Sequence, residues 1–254
     1  MVLKTKKHQL NDLSILVLRD GFSFCTHKKS CFYPIHDEDN INLQAIADFL
    51  DQEELTTEVV HLIHLDGYSS IVPMELFDKE NAAFYISKGI DVKTNQEVVF
   101  DTLETQNQVV VYPRSTKKWN ALIELFPTLE SKHATSLLLA PLTQFSMGTP
   151  KKQLFVHLRD GAFELFLFQG VQLLFFNSFE QNNADEFLYY LFYITEQFYL
   201  KPESFKLAFL GEYDRFKEHY AAVQEYHEDI IYLEAPTENK NSKHPVPFLE
   251  NKTA

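Results

Sequence analysis

Glycine is scarce in this chain: 7 in 254 residues, no two adjacent and no Gly-x-Gly. Phosphate-cradling loops need glycine where backbone must approach a ligand, so little material for them exists. Cysteine is scarcer, with Cys25 and Cys31 alone. CxxC, HExxH and Gly-x-Ser-x-Gly do not occur; neither a catalytic residue nor a metal site is expected. Basic residues are outnumbered, 23 Lys and Arg against 36 Asp and Glu, for a net charge of −13. Nucleic acid and anionic membrane are bound mainly through Lys and Arg. The basic pairs here (Lys6-Lys7, Lys28-Lys29, Lys117-Lys118, Lys151-Lys152) are scattered, so neither is an expected partner. No run of about 18 apolar residues occurs that could span a membrane. The richest, Phe163 to Phe179, is broken by Gln169, Gly170, Gln172 and Asn177. The opening MVLKTKKHQLNDL has no apolar core of a secretory signal, and a cytoplasmic location is expected.

What the chain has in quantity is aromatic: 23 Phe and 12 Tyr, enough for thick apolar layers. It also has an internal repeat. Residues 15–21 read ILVLRDG and residues 155–161 read FVHLRDG, an offset of 140. Two further apolar segments follow each: FSFCTHK and CFYPI, then AFELFLFQ and VQLLFFNSF. Short turn-like breaks between such segments are the mark of an antiparallel meander. With Lys28-Lys29 as a turn, Cys25 lies opposite Phe32 and Cys31 opposite Thr26. Alternation then puts the sulfurs on opposite sheet faces, as two free thiols in a reducing compartment.

An amphipathic helix follows each triplet. The first is capped by Asn42 or Asp39 and striped by Leu43, Ile46, Ala47 and Leu50. The second opens on Asn183 with Glu186 as a capping box, is striped by Phe187, Leu188, Leu191, Ile194 and Phe198, and ends by Pro202. Tyr189, Tyr190, Phe192 and Tyr193 widen its apolar surface, so it is either buried on two sides or a docking face. A strand Phe205 to Leu210, a helix Arg215 to Glu225 and a strand Ile230 to Leu233 complete a βββαβαβ unit. The first half has a strand Glu58 to Leu65 and then departs: a helix near Pro73 to Ser87, a hairpin Glu97 to Leu103 with Gln108 to Tyr112, a helix after Ser115, and a bridging segment Ser136 to Phe145. The expected organisation is a first half over 1–150 with an inserted α/β subdomain at about 66–130, a second half over 151–236, and a loose tail over 237–254.

This segment order, the LRDG repeat, and stretches such as VPMELFDKENAAFYIS and KHATSLLLAP resemble domain-of-unknown-function family 3822. That bacterial family, seen mostly in Bacteroidetes, has the fold of actin, Hsp70 and the sugar kinases. The resemblance covers roughly residues 10 to 236. It implies an α/β fold of two RNase H-like halves, each a mixed five-stranded sheet with flanking helices. Among better-known relatives, the chain looks most like the actin-like platform proteins of type IV pili and type II secretion. In that superfamily nucleotide binds between the halves, on one Asp-and-Gly turn from each and a glycine segment in the second. The matching positions are Asp20-Gly21, Asp160-Gly161 and Gly211. They depart from the family pattern: Asp-Gly-Phe-Ser and Asp-Gly-Ala-Phe replace the hydroxyl- and glycine-rich turns, and Gly211 stands alone.

Asp-Gly is also a favoured two-residue hairpin turn, with positive φ at both positions. By that reading the turns need no ligand, and Arg19 and Arg159 beside them make solvated ion pairs. His61 and His64 point to opposite faces of a strand. His157 packs or pairs in a core, and His36-Asp37-Glu38-Asp39 leads acidic into a helix N-terminus. The resulting expectation is a non-catalytic actin-like scaffold or protein-interaction module with a degenerate nucleotide cleft, no cofactor, and an unidentified protein partner or a second copy. The alternative is a divergent ATPase or sugar-kinase-like enzyme using ATP with Mg2+.

Overall fold

The computed structural model describes residues 12–26, 29–55, 59–87, 89–211 and 213–233. The expected loose tail lies outside them. The chain divides into two compact units, one ending at Leu138 and the other beginning at Leu139.

The first unit opens with the meander β1 (Asp12–Leu18), β2 (Gly21–Cys25) and β3 (Ser30–Pro34). Alternation sends Ile15 and Val17, Phe22 and Phe24 to one face, where they bury under α1 (Leu43–Gln52) against Ile46 and Leu50. Asn42 starts α1, its side chain accepting from the Ala45 N–H; Asp39 lies instead in a short 3-10 turn capped by Asp37. The chain returns through β4 (Val59–His64), parallel to β1. The β2–β3 pairing is two residues from expectation: Phe24 faces Cys31 and Cys25 faces Ser30. A two-residue shift preserves parity, so the sulfurs still take opposite faces. Cys31 packs on the core, and Cys25 bonds Ser23 and Ser30.

Beyond β4 lies a separate three-stranded antiparallel sheet, β5 (Ser70–Pro73), β6 (Gln96–Leu103) and β7 (Gln108–Ser115), in the order β5-β7-β6. The hairpin forms as expected. The helix expected at Pro73 to Ser87 does not. Two 3-10 segments, Met74–Leu76 and Lys79–Tyr85, stand there, with Asn81 outside helical geometry. Local side-chain bonds win over helix propagation: Asp78 accepts from the Glu80 N–H and from Asn81. The Tyr85 hydroxyl ties Leu76 and Asp78. Ser115 then caps α2 (Thr116–Leu125). A strand not read from the sequence, β8 (Glu130–His133), follows and pairs in parallel with β4. The sheet order is β3-β2-β1-β4-β8.

After α3 (Ala134–Ser146), the second unit runs β9 (Lys152–Arg159), β10 (Ala162–Gln169), β11 (Gln172–Glu180), α4 (Ala184–Gln197), β12 (Phe205–Leu210), α5 (Tyr213–Gln224) and β13 (Ile230–Tyr232). Its order, β11-β10-β9-β12-β13, matches the first sheet position by position. Leu154, Val156, Leu158, Phe163 and Leu165 bury against Phe187 and Leu191 of α4 and Val223 of α5. Asn183 caps α4 at Glu186, but the Glu186 carboxylate accepts from Asn182 rather than from the Asn183 N–H of a strict capping box. Tyr199, left-handed at φ 51, ends the helix region before Pro202. Only one side of α4 is buried, because Tyr189 is 65% and Tyr193 47% exposed.

Candidate functional site

Parallel strands bring their C-terminal ends to one edge of each sheet, where open α/β sheets place ligands. In the first unit these are the ends of β1, β4 and β8, with Asp20 and Gly21 beside them. In the second they are the ends of β9, β12 and β13, with Asp160, Gly161 and Gly211.

The two Arg-Asp-Gly segments are not equivalent there. Leu18 pairs with Gly21, so the first turn is Arg19-Asp20 and Gly21 already lies in β2. Arg159 pairs with Ala162, so the second turn is Asp160-Gly161. Strand faces agree: Ile15 and Val17 face the helices in the first unit, Val156 and Leu158 in the second. The structural offset is 141, one residue from the offset of the shared letters. The paired positive φ of the expected hairpin turn forms at neither site; Gly161 alone is left-handed, at φ 66. Gly21 is required for another reason. A Cβ there would lie 2.2 Å from the Tyr33 carbonyl. Gly211 combines φ 119 with a Cβ position 2.8 Å from the Leu158 carbonyl. Close backbone approach accounts for both without a ligand.

A side chain that sequence reading missed commands the first unit's strand ends. Lys118, on the buried face of α2, has a side chain 2% exposed. Its ammonium donates to the Leu18 carbonyl at 2.7 Å and the Arg19 carbonyl at 3.3 Å. It also meets Glu38 at 3.0 Å and Asp66 at 3.4 Å. Glu38 is held by Asn95 and Ser115. Asp66 is buried, its other carboxylate oxygen has no partner, and burial raises its carboxyl above the usual range against the pull of Lys118. The signal was legible: Lys118 stands four residues before Leu122, on the same buried face of α2. In the same unit, Asp101 accepts from the His133 N–H, Ser136 and Tyr112. Burial raises the Asp101 carboxyl despite these donors. His64 donates to or accepts from Ser131 at 2.9 Å, and burial, then the neighbouring His133, holds it well below the ordinary histidine range. His61, on the other face of β4, meets Glu130.

In the second unit Asp160 is bonded to Arg215 of α5. Arg159 is not the solvated ion pair expected. Its guanidinium, 12% exposed, donates to the buried Glu164 at 2.6 Å. His157, paired in the interior as expected, holds the other Glu164 oxygen at 2.8 Å. Burial alone would raise the Glu164 carboxyl; Arg159 and His157 outweigh it and bring it down to about 2. Among the described residues, no three His, Cys, Asp or Glu side chains are placed to hold a metal ion, and no helix is long and apolar enough to cross a membrane.

Three comparisons place the chain. Its fold is similar to a Bacteroides thetaiotaomicron VPI-5482 protein with an actin-like ATPase fold and unknown function, at 19% identity over 96% of both chains and a TM-score of 0.77. It is similar at 12% identity, over 88% of both chains and a TM-score of 0.59, to a chain of the PilM-PilN type IV pilus biogenesis complex. Identities this low show the actin-like ATPase fold and nothing more. No curated protein matches. The family model described as "Protein of unknown function (DUF3822)" matches residues 2–230, and the chain belongs to that family.

Proposed function

We propose that this chain is a non-catalytic, actin-like platform of the cytoplasm that holds a protein partner and works without nucleotide. The observation that carries the reading is Lys118. At the first turn its ammonium already engages the Leu18 and Arg19 carbonyls with Glu38 and Asp66, which leaves fewer oxygens there for a metal-bound phosphate. A cation supplied by the chain itself answers Glu38 and one oxygen of Asp66. Asp160, which a nucleotide reading needs on the second turn, is bonded to Arg215. The similarity to a chain of a two-protein pilus complex supports a partner-holding role.

One observation favours the rival, a divergent ATPase or sugar kinase using ATP with Mg2+: both turn aspartates stand at the C-terminal ends of parallel strands. A ligand of the native state must stabilise it. Thermal melts with millimolar ATP or ADP and Mg2+ are therefore expected to coincide with the melt of the protein alone. Magnesium-dependent ATP binding in calorimetry, lost in Asp20→Ala or Asp160→Ala, overturns the platform reading.

A further inference from the structure

Among the described residues three sheets present six edge strands, and an open edge is a template for pairing unless something blunts it. Five are blunted. β3 has five residues and ends in Pro34; β5 has four and ends in Pro73. β8 and β13 have four and three. β11 is long, but its pairing with β10 is broken by an irregularity at Leu167 and Phe168. β6 has none of these devices. It runs eight residues in unbroken register with β7, and its sequence, QEVVFDTL, contains no Pro, Gly or Lys.

An apolar patch lies beside that edge. Phe100 of β6, 39% exposed, packs on Phe77 at 4.8 Å between ring centroids. Phe77 meets Tyr85, and Tyr85 meets Phe84. Phe84 is 64% and Leu76 66% exposed. Glu75 and Asp78 flank Leu76 and Phe77 along the chain and Glu104 follows β6, and none of the three has an ion pair among the described residues. Among the described residues, Lys79 meets Glu80 and Arg114 meets Glu97.

We propose that the outer edge of β6 takes an extended segment of another protein in which apolar residues alternate with Lys or Arg. This rests on the platform reading and gives its partner a surface. Main-chain bonds to β6 supply affinity, and alternate side chains supply selection. Side chains on one face of the added strand fall beside Val98, Phe100 and Thr102, within cross-strand distance, and cover Phe77. The basic residues answer Glu75, Asp78 and Glu104, and this charge requirement favours such a segment over a second copy of a chain of net charge −13.

The test titrates the whole protein into a fluorescein-labelled Lys-Val-Lys-Phe-Lys-Val-Lys peptide, followed by anisotropy. Two control peptides replace Lys with Glu or carry N-methyl groups on alternate backbone amides. The Lys peptide is expected to bind, and the controls at least tenfold more weakly. Phe100→Ser, and separately the pair Glu75→Lys with Glu104→Lys, are expected to weaken binding at least tenfold while circular dichroism shows the fold retained. Absence of binding overturns the proposal, and so does equal binding of the N-methylated peptide, which would reveal charge attraction alone. A dimer in light scattering that Phe100→Ser dissolves also overturns it, in favour of a second copy. The nucleotide melts are read separately: silent ATP with a failed peptide sinks the edge alone, and ATP binding with a successful peptide sinks the nucleotide-free platform alone.

Discussion

Lys118 carries a full charge into the interior, and its value depends on both carboxylates staying opposite it. Breaking a buried ion pair from one side strands the other. Lys118→Met leaves Asp66 and Glu38 uncompensated and is expected to cost about 3 kcal/mol in urea unfolding, the lower end of the usual range because Glu38 is partly solvated. Adding Asp66→Asn is expected to restore most of the loss. Glu164 sets a different dependence. Its folded pKa, about 2, lies below the roughly 4.3 of an unfolded glutamate. Its stabilisation is therefore complete above about pH 4.3 and lost as pH falls toward 2. Glu164→Gln should destabilise markedly at pH 7 and hardly at pH 2, as urea midpoints would show. His64 acts higher. Buried and neutral, it resists the proton that an unfolded histidine accepts below about pH 6.5. Stability should fall from pH 7 to pH 5, and His64→Gln should reduce that slope, with His219 and His227, lowered by burial in the same direction, keeping the remainder. These residues were only partly legible. Glu164 is the one ionisable letter in AFELFLFQ, but its partners come from the neighbouring strand, which periodicity does not pair.

Strands and helices were easier to read than turns. α1, α2 and α4 announced themselves through apolar spacing and the caps Asn42, Ser115 and Asn183. β8 did not, because Glu-Ser-Lys-His has no strand-like pattern and buries only His133; its pairing with β4 is a long-range gift of the sheet. The same holds for β5, whose partner β7 is distant in sequence. Turn conformation depends on which residues pair, and this explains why two Arg-Asp-Gly segments behave differently. Alanine at the three site glycines should therefore rank by backbone demand. Gly161→Ala meets open space and carries only the left-handed φ, about 1–2 kcal/mol. Gly211→Ala adds a clash with the Leu158 carbonyl, and Gly21→Ala forces its carbonyl neighbour Tyr33 to move, so both should exceed it. Thermal unfolding of the three variants checks the order.

For the molecule as a whole, charge is the property that governs behaviour in solution. A chain of net charge −13 with a sequence pI near 5.2 should be most soluble above neutrality and scatter most light near pH 5. The repeated order of the first four strands of each sheet follows from a pattern of strands and helices that is visible in the letters; their equivalence, residue by residue, does not follow from the most similar letters. That one-residue discrepancy has a consequence for recombination. A chimera that replaced residues 15–20 by 155–160, keeping Gly21, would be joined where the text agrees, and it would set the His157 imidazole in Val17's place against Ile46 and Leu50. Moving the junction by a single residue would send Val156 and Leu158 inward instead. Between these two hybrids, nearly identical in composition, only the one spliced by strand pairing should fold.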